Sequence, residues 1–149
     1  LQPWHSNVGK RMVKAPKVYI RDSGICHALL GIETFNELLG HPVVGGSWEG
    51  YVVEEIIRHL PVGIRAFYYR TQHGAEADLV LVEGMQPVAC IEIKYGKSPV
   101  LSAGFYQCID DLKTKNNWVV YSGTESYATK KNVLYCPLSE LLNSYLIAL

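Results

Sequence analysis

The feature that most constrains the fold of this 149-residue chain is a run of three strand-like segments separated by short turns. Residues 65–70 and 77–82 are rich in aromatic and branched residues, and they flank residues 71–74, whose composition is typical of a hairpin turn. A second glycine turn at 84–87 leads into the third segment, residues 88–94. Because short turns join antiparallel neighbours, the sequence predicts that these strands pair side by side.

An amphipathic helix is predicted directly before the strands, over residues 47–60. Ser47 can cap its first turn, and Pro61 ends it. Glu49 is expected to point towards the buried side, because steps of three and four along a helix return to the apolar face. The apolar positions are Trp48, Val52, Val53, Ile56, Ile57 and Leu60, and the wetter faces carry Glu54, Glu55, Arg58 and His59.

The rest of the chain mixes short helices and strands. Asp22 and Ser23 offer an N-cap for a helix that ends near Gly31, whereas residues 31–46 have the composition of a loop. Further elements are a strand at 18–21, a helix at 102–114, strands at 118–121 and 133–135, and a helix at 138–146. The order α, β, β, β, α, β, β, α predicts an α/β domain with a mixed central sheet flanked by helices.

Charged side chains interrupt two of the apolar strands. Glu92 and Lys94 are two residues apart, so their side chains share one face of the third strand. Antiparallel pairing could bring Asp78 of the second strand close to Glu92. Carboxylates are the ligands that Mg²⁺ or Mn²⁺ prefers, and a lysine beside a metal-bound water can orient or deprotonate it. Asp78, Glu92 and Lys94 are therefore candidates for phosphodiester hydrolysis, with Glu49 reaching the same site from the helix.

Each of these residues also has a plainer interpretation. Glu92 and Lys94 could form a structural ion pair at a sheet edge, because a buried charge usually needs a partner or a metal. Glu49 could simply stabilise the positive end of its helix. The sequence leaves both alternatives open.

The run from Asp78 to Glu92-Ile93-Lys94 resembles the D-(x)n-E-x-K signature of the PD-(D/E)XK nuclease superfamily. Ala77 stands where the nominal motif has proline, and Glu49 matches the glutamate that often precedes the sheet in that superfamily. The resemblance implies a restriction-endonuclease-like core and a Mg²⁺ or Mn²⁺ site. It also implies that the main-chain carbonyl of Ile93 contacts the metal.

A narrower resemblance extends over nearly the whole chain. The segments KVYIRDSGICHALLG, HPVVGGSWEGYVVEEI, FYYRTQHGAEADLVL and IEIKYGKSP resemble the C-terminal domain of unknown function of prokaryotic AAA-type P-loop ATPases. This implies that residues 1–16 are a connector from a missing ATPase and winged-helix region and that residues 17–149 are the nuclease-like domain. No G-x-x-x-x-G-K-[ST] motif is present, so ATP is expected only in the upstream module.

Five further residues are candidates for supporting roles. Arg70 and Glu76 belong to the family's R-x(3)-G-x-E-x-D stretch, where Glu76 either supports the site or pairs with Arg70. Gln107, on the helix after the third strand, is either a supporting site residue or an exposed polar residue. Lys97 and His73 are candidate nucleic-acid contacts, and each could equally be a solvated surface residue.

Charge gives a mixed indication of nucleic-acid binding. The formal net charge is zero, so nothing in the overall composition marks such a protein. Residues 1–21 carry only basic charges, which could meet phosphates or simply belong to a solvated connector. These basic residues are Lys10, Arg11, Lys14, Lys17 and Arg21.

The patterns together predict a metal-dependent DNA phosphodiesterase domain of a larger ATPase, or alternatively a catalytically inactive regulatory, docking or DNA-binding domain. The expected partners are DNA and the chain's own upstream ATPase module, with homo-oligomerisation left open. No membrane partner and no small-molecule cofactor are expected, because signal and membrane-spanning segments are absent. The cysteines lack metal-ligand spacing and indicate reduced thiols of a cytoplasmic protein: Cys26, Cys90, Cys108 and Cys136.

Overall fold

A six-stranded mixed sheet with helices on both faces forms the part of the chain that the computed structural model describes, residues 1–5, 11–129 and 132–149. Lys10 of the basic segment lies outside these residues. The helices are α1 (Ser23–Leu29), α2 (Phe35–Gly40), α3 (Val44–Arg58), α4 (Ala103–Leu112) and α5 (Leu138–Glu140), which continues as a π-helical turn (Leu141–Tyr145) and a 3-10 turn (Leu146–Ala148). The strands are β1 (Ile64–Arg70), β2 (Glu76–Glu83), β3 (Gln86–Lys94), β4 (Asn116–Tyr121), β5 (Tyr127–Ala128) and β6 (Leu134–Pro137).

The strands lie in the order β1-β2-β3-β4-β6-β5. The first three are antiparallel neighbours, β4 runs parallel to both β3 and β6, and β5 is antiparallel to β6. The change to parallel pairing follows from α4, which crosses over between β3 and β4. The predicted α/β class, with a mixed sheet and an antiparallel three-stranded unit, is confirmed.

Two apolar cores cover the two faces of the sheet. On one face, Val52, Val53 and Ile56 of α3 pack with Leu79 and Ile91 of the central strands, and all are buried. On the other face, α4 contributes a second cluster with the side chains that alternate with these along β2, β3 and β4, namely Phe105, Cys108, Leu112, Val80, Cys90 and Val119. Since α3 is fixed to the sheet by its apolar stripe, Glu49 in its second turn is held near the sheet.

The helical region before β1 differs from the prediction in three ways. Residues 31–46 are not simply loop, because Thr34 and Glu37 form a reciprocal capping box that starts α2. Helix α3 begins at Val44, so Ser47 is inside the helix and its Oγ lies 2.6 Å from His27 Nε2. Glu54 was expected on a wetter face, which is wrong: it is 6% exposed.

The sheet edge also differs from the prediction. Residues 18–21, predicted as a strand, form no regular strand, and β5 was not predicted. The segment before them packs along β1: Trp4 N donates to Tyr68 O at 2.7 Å, and Val13 N donates to Arg70 O at 2.9 Å. Trp4 is buried in the second core. No helix in the described residues is long and apolar enough to cross a membrane.

Candidate functional site

Two buried carboxylates meet where β2 and β3 run alongside each other. Leu79 pairs with Ile91 in antiparallel register, so Asp78 and Glu92 are the next residues of the two strands on the same side of that pair. Asp78 is 7% exposed and Glu92 is 5% exposed. The backbone N–H of Ile93 donates to Asp78 Oδ2 at 2.9 Å, which fixes the aspartate side chain across the strand pair. The meander thus brings together two carboxylates that are distant in sequence.

Only one of the two carboxylate oxygens of Glu92 has a hydrogen-bond partner in the described part of the chain. Its Oε1 lies 2.7 Å from Lys94 Nζ, whereas its buried Oε2 has no hydrogen-bond partner among the described residues. Burial and the negative charge of Asp78 raise the pKa of Glu92 to about 7, and Lys94 only partly opposes this. Burial alone would lower the pKa of Lys94. Glu92 and the neighbouring acids raise this pKa by more than burial lowers it, so the pKa lies above its ordinary value. At neutral pH the pair therefore consists of a buried carboxylate whose pKa is close to the pH and a charged ammonium.

A second basic residue reaches these acids from the extended segment before α1. Lys17 Nζ lies 3.0 Å from Asp78 Oδ1, 3.1 Å from Glu76 Oε1 and 3.5 Å from Glu49 Oε1. Its side chain is 21% exposed and passes over the ring of Tyr68. Burial lowers the pKa of Lys17, but the carboxylates, led by Asp78, hold it above its ordinary range. This ammonium brings the acid from α3 and the acids from β2 into contact with one cation.

The sequence patterns did not predict the roles of Lys17 and Tyr19. In the sequence Lys17 is one charge of a basic segment, yet its ammonium contacts the predicted site. Tyr19 donates its hydroxyl proton to Glu49 Oε1 at 2.6 Å. The available signal was the alternation of Lys17, Tyr19 and Arg21, which places three hydrogen-bonding side chains on one side of an extended segment.

The supporting residues divide into two groups. Arg70 Nε lies 3.4 Å from Glu76 Oε2, so these two residues pair with each other at the margin of the site. Gln107 donates to Asp111 Oδ1 at 2.9 Å on the exposed side of α4, and it lines a surface cavity together with His73. Neither Gln107 nor His73 has a hydrogen bond or ion pair with Asp78 or Glu92 in the described structure.

A separate aromatic cavity opens close to the site. Trp48 and Tyr51 of α3 and Tyr95, which follows Lys94, contribute its aromatic lining, and Lys97 also lines it. The Trp48 ring lies 6.3 Å from that of Tyr95 and 6.0 Å from that of Tyr51. Lys97, an exposed candidate for nucleic-acid contact, is therefore next to the cavity rather than among the carboxylates.

The donor set matches the preferences of a hard divalent cation only in part. Carboxylate oxygens from Asp78, Glu92 and Glu49 are the right chemistry, and the orphaned Glu92 Oε2 is a buried acceptor without a donor. In the described residues, no three acidic, histidine or cysteine side chains are arranged so that they could hold one ion. The Lys17 ammonium is bound by two of these acids instead. A metal at these carboxylates would require that ammonium to move.

Two sequence families match the chain. A domain of unknown function, DUF4143, matches residues 44–141, and a second domain of unknown function, DUF8612, matches residues 1–36. Uncharacterized proteins of Mycobacterium bovis and Mycobacterium tuberculosis are each 35% identical to the chain over 144 residues. The alignment covers 97% of this chain and 32% of each relative, so the chain spans about a third of the length of these curated relatives. No solved structure matches the chain.

Proposed function

The chain belongs to the DUF4143 family of domains of unknown function, and we propose that it is a metal-dependent phosphodiesterase domain of the PD-(D/E)XK type that acts on DNA. The observation that carries the proposal is the buried Glu92 Oε2, which has no hydrogen-bond partner in the described residues and lies beside Asp78. A buried polar atom without a partner is costly, and a bound cation would remove that cost.

The order of elements supports the same proposal. Helix α3 is followed by the antiparallel strands β1, β2 and β3, then by α4 and the parallel strand β4. A restriction-endonuclease-like core, as the sequence resemblance implies, has its acids on adjacent strands and a further glutamate on the preceding helix. Asp78, Glu92 and Glu49 occupy those elements.

The proposed metal ligands are the carboxylates of Asp78, Glu92 and Glu49 and the main-chain carbonyl of Ile93. When bound, Mg²⁺ or Mn²⁺ supplies a more acidic water and offsets negative charge on the phosphate. The Ile93 N–H holds Asp78 in place, so little side-chain ordering would accompany binding. An arrangement that is fixed in advance is worth more to catalysis than a mobile one.

Lys94 has the second role in this proposal. The Lys94 side chain is 37% exposed and its ammonium is hydrogen bonded to Glu92 at 2.7 Å, so the side chain is anchored to Glu92 and partly open to solvent. In that position it would orient the attacking water and stabilise charge on the phosphate oxygens. Lys97, beside the aromatic cavity, would contact the nucleic-acid backbone.

A second candidate function is not enzymatic. The Lys17 ammonium already balances Asp78, Glu76 and Glu49, and we call these three acids together with Glu92 the acidic cleft. This balance favours a domain in which the acidic cleft has a structural role and which docks onto or regulates a larger protein. The relatives extend well beyond this domain, so an ATPase module, as the resemblance implies, would be the natural partner. The two candidates differ in whether the cleft binds a divalent cation at all.

The test is cleavage of plasmid and oligonucleotide DNA with Mg²⁺ or Mn²⁺, using the wild type, Lys94→Ala and Lys115→Ala. Lys115 is an exposed lysine just before β4, and Ala89 rather than Lys94 lies beside that end of the strand. We expect Lys94→Ala to lose roughly 100-fold or more in rate, because a positioned proton-transfer group contributes that much. Lys115→Ala should cut like the wild type.

Equal rates for Lys94→Ala and the wild type would contradict the mechanism. No cleavage by any variant, together with no heat from Mg²⁺ or Mn²⁺ in calorimetry, would favour the second candidate. Calorimetry with Asp78→Asn is the matching control, because that variant keeps the shape of the side chain and removes its charge.

A further inference from the structure

The segment from Lys17 to Arg21, which we call the strap, lies along the acidic cleft. Its polar side chains contact the acids, and its apolar side chains point to solvent. Lys17, Tyr19 and Arg21 face the domain and contact acids, whereas Val18 and Ile20 are 89% and 52% exposed. Alternation of this kind is what an extended backbone produces. The strap thus presents two cations and a hydroxyl to one acidic surface and leaves its apolar side chains outside.

The inner side of the strap touches both the candidate site and its surroundings. Lys17 reaches the carboxylates of Asp78, Glu76 and Glu49, and Arg21 forms a two-point contact with Glu54, at 2.8 Å from Nε to Oε2 and 2.6 Å from Nη2 to Oε1. These contacts are ionic. Two further contacts hold the strap: Lys17 N donates to Leu1 O at 3.0 Å, and the Tyr19 ring packs against the first core.

The Lys17 ammonium and a divalent cation would need the same oxygens. Asp78 Oδ1 and Glu49 Oε1 are within 3.5 Å of Lys17 Nζ. Two cations about 3 Å apart repel each other strongly in a partly buried site, so both cannot occupy it together. Asp78 Oδ2 already accepts the Ile93 N–H, so Oδ1 is the oxygen of Asp78 for which the two cations compete most directly.

We propose that the strap is an internal competitor: Lys17 holds the cation position of the cleft, and divalent-cation binding requires the strap to withdraw. This inference rests on the proposed function, since it concerns the same site. The strap and the cleft also belong to different matched families. Residues 1–36 match one family and residues 44–141 match the other, so the cation and its acids lie in separately matched regions of the chain.

The strap has fixed points on either side that make withdrawal a local event. Upstream, Tyr68 donates its hydroxyl proton to the Ala15 carbonyl, and Gln72 N donates to Arg11 O at 2.9 Å. Downstream, α1 is tied to α3 by the contact between His27 and Ser47. Withdrawal of the strap backbone would break the hydrogen bond from Lys17 N to Leu1 O, whereas a rotation of the Lys17 side chain away from the acids leaves the backbone contacts in place.

The direct test is Mn²⁺ titration by calorimetry of the wild type, Lys17→Met and Lys14→Met. Lys14 is an exposed lysine of the same segment, so its substitution removes the same charge without touching the cleft. We expect Lys17→Met to bind Mn²⁺ roughly tenfold more tightly or better, which corresponds to about 1.4 kcal/mol. Lys14→Met should bind like the wild type, and circular dichroism shows whether both variants are folded.

The outcomes separate this inference from the proposed function. If the wild type binds Mn²⁺ as tightly as Lys17→Met, the strap is no competitor and the metal site stands. If neither binds, the metal site fails and the competitor proposal fails with it. If only Lys17→Met binds, both proposals are supported.

A second measurement uses the wild type alone, should Lys17→Met fail to fold. Trypsin cleaves after exposed lysines, so cleavage after Lys17 reports strap withdrawal and cleavage after Lys14 is the internal control. Mn²⁺ should accelerate cleavage after Lys17 and leave cleavage after Lys14 unchanged. Cleavage after Lys17 that is unchanged at saturating Mn²⁺ would overturn the competitor proposal.

Discussion

Two glutamates in this domain are buried to almost the same extent and yet have opposite surroundings. Glu54 is 6% exposed and Glu92 is 5% exposed. Both oxygens of Glu54 accept hydrogen bonds from guanidinium groups, two from Arg21 and one from Arg58 at 2.9 Å. Glu92 has the single Lys94 ammonium on Oε1, and its Oε2 has no hydrogen-bond partner in the described part of the chain.

The difference teaches how to tell a structural ion cluster from a candidate site. A buried charge that is fully paired contributes a specific contact, whereas an incompletely paired one destabilises the folded state and calls for another explanation. Burial alone does not distinguish the two glutamates. The balance of partners does: it indicates a structural role for Glu54, and it is the observation that supports the proposed metal-binding role of Glu92.

The largest expected effect is on the paired glutamate. Replacing both Arg21 and Arg58 by Ala removes both guanidinium partners of Glu54 and should lower the Tm by about 7 °C at pH 7, a moderate loss because these arginine side chains are 76% and 60% exposed and water can replace them. Thermal unfolding followed by circular dichroism measures this. A decrease in Tm smaller than that expected for one exposed ion pair would mean that other contacts stabilise Glu54. The two glutamates would then not differ in their dependence on cationic partners.

Glu92→Gln should act in the opposite direction. At pH 8 this substitution removes a buried charge with one partner, and the exposed part of Lys94 can turn towards water, so the Tm should rise by about 6 °C. Glu54→Gln is the matched control and should lower the Tm. Destabilisation of both variants to a similar degree would remove the distinction between the two glutamates.

The pH dependence sharpens the same contrast. Burial raises the pKa of Glu92 from its ordinary value of 4.5 to about 7. Between these two pH values, Glu92 is protonated in the folded chain and ionised in the unfolded chain. The unfolded state therefore binds fewer protons, and Glu92 makes stability fall as the pH rises through this window. The Tm advantage of Glu92→Gln should shrink by about 5 °C between pH 8 and pH 4.5. An advantage independent of pH would contradict the raised pKa.

The smallest expected effect is on the strap. Arg21→Gln alone should lower the Tm by about 2 °C at low salt, because its side chain is 76% exposed and Arg58 still pairs with Glu54. The loss should nearly vanish in roughly 1 M NaCl, where surface charges are screened. A loss that persists at high salt would indicate that Arg21 contributes more than a solvent-exposed ion pair.

The sequence predicted the sheet better than it predicted the segment before α3. The three strands of the meander are long, apolar and separated by glycine turns, so local pattern and tertiary structure agree. The pairing of Glu92 with Lys94 follows from strand alternation. The approach of Asp78 to these residues needed only the antiparallel register of two adjacent strands.

The region that the sequence did not predict is held by contacts between distant residues. Lys17 meets Asp78 and Glu49 across separations of 61 and 32 residues, and no local pattern encodes such pairs. The burial of Glu54 likewise depends on a distant residue, Arg21, which lies outside its own helix. Helix α2 is a different case, since the capping box at Thr34 and Glu37 is a local pattern that the sequence already contains.

The most direct test of the account is Mn²⁺ binding in the Lys17→Met background, where the internal ammonium is absent. Calorimetric titrations would compare Lys17→Met alone, with Glu92→Gln and with Glu54→Gln. The account predicts that Glu92→Gln weakens Mn²⁺ binding by roughly tenfold or more, whereas Glu54→Gln leaves it unchanged. Equal Mn²⁺ affinity with and without the Glu92 carboxylate would contradict the assignment of this end of the sheet as a metal site.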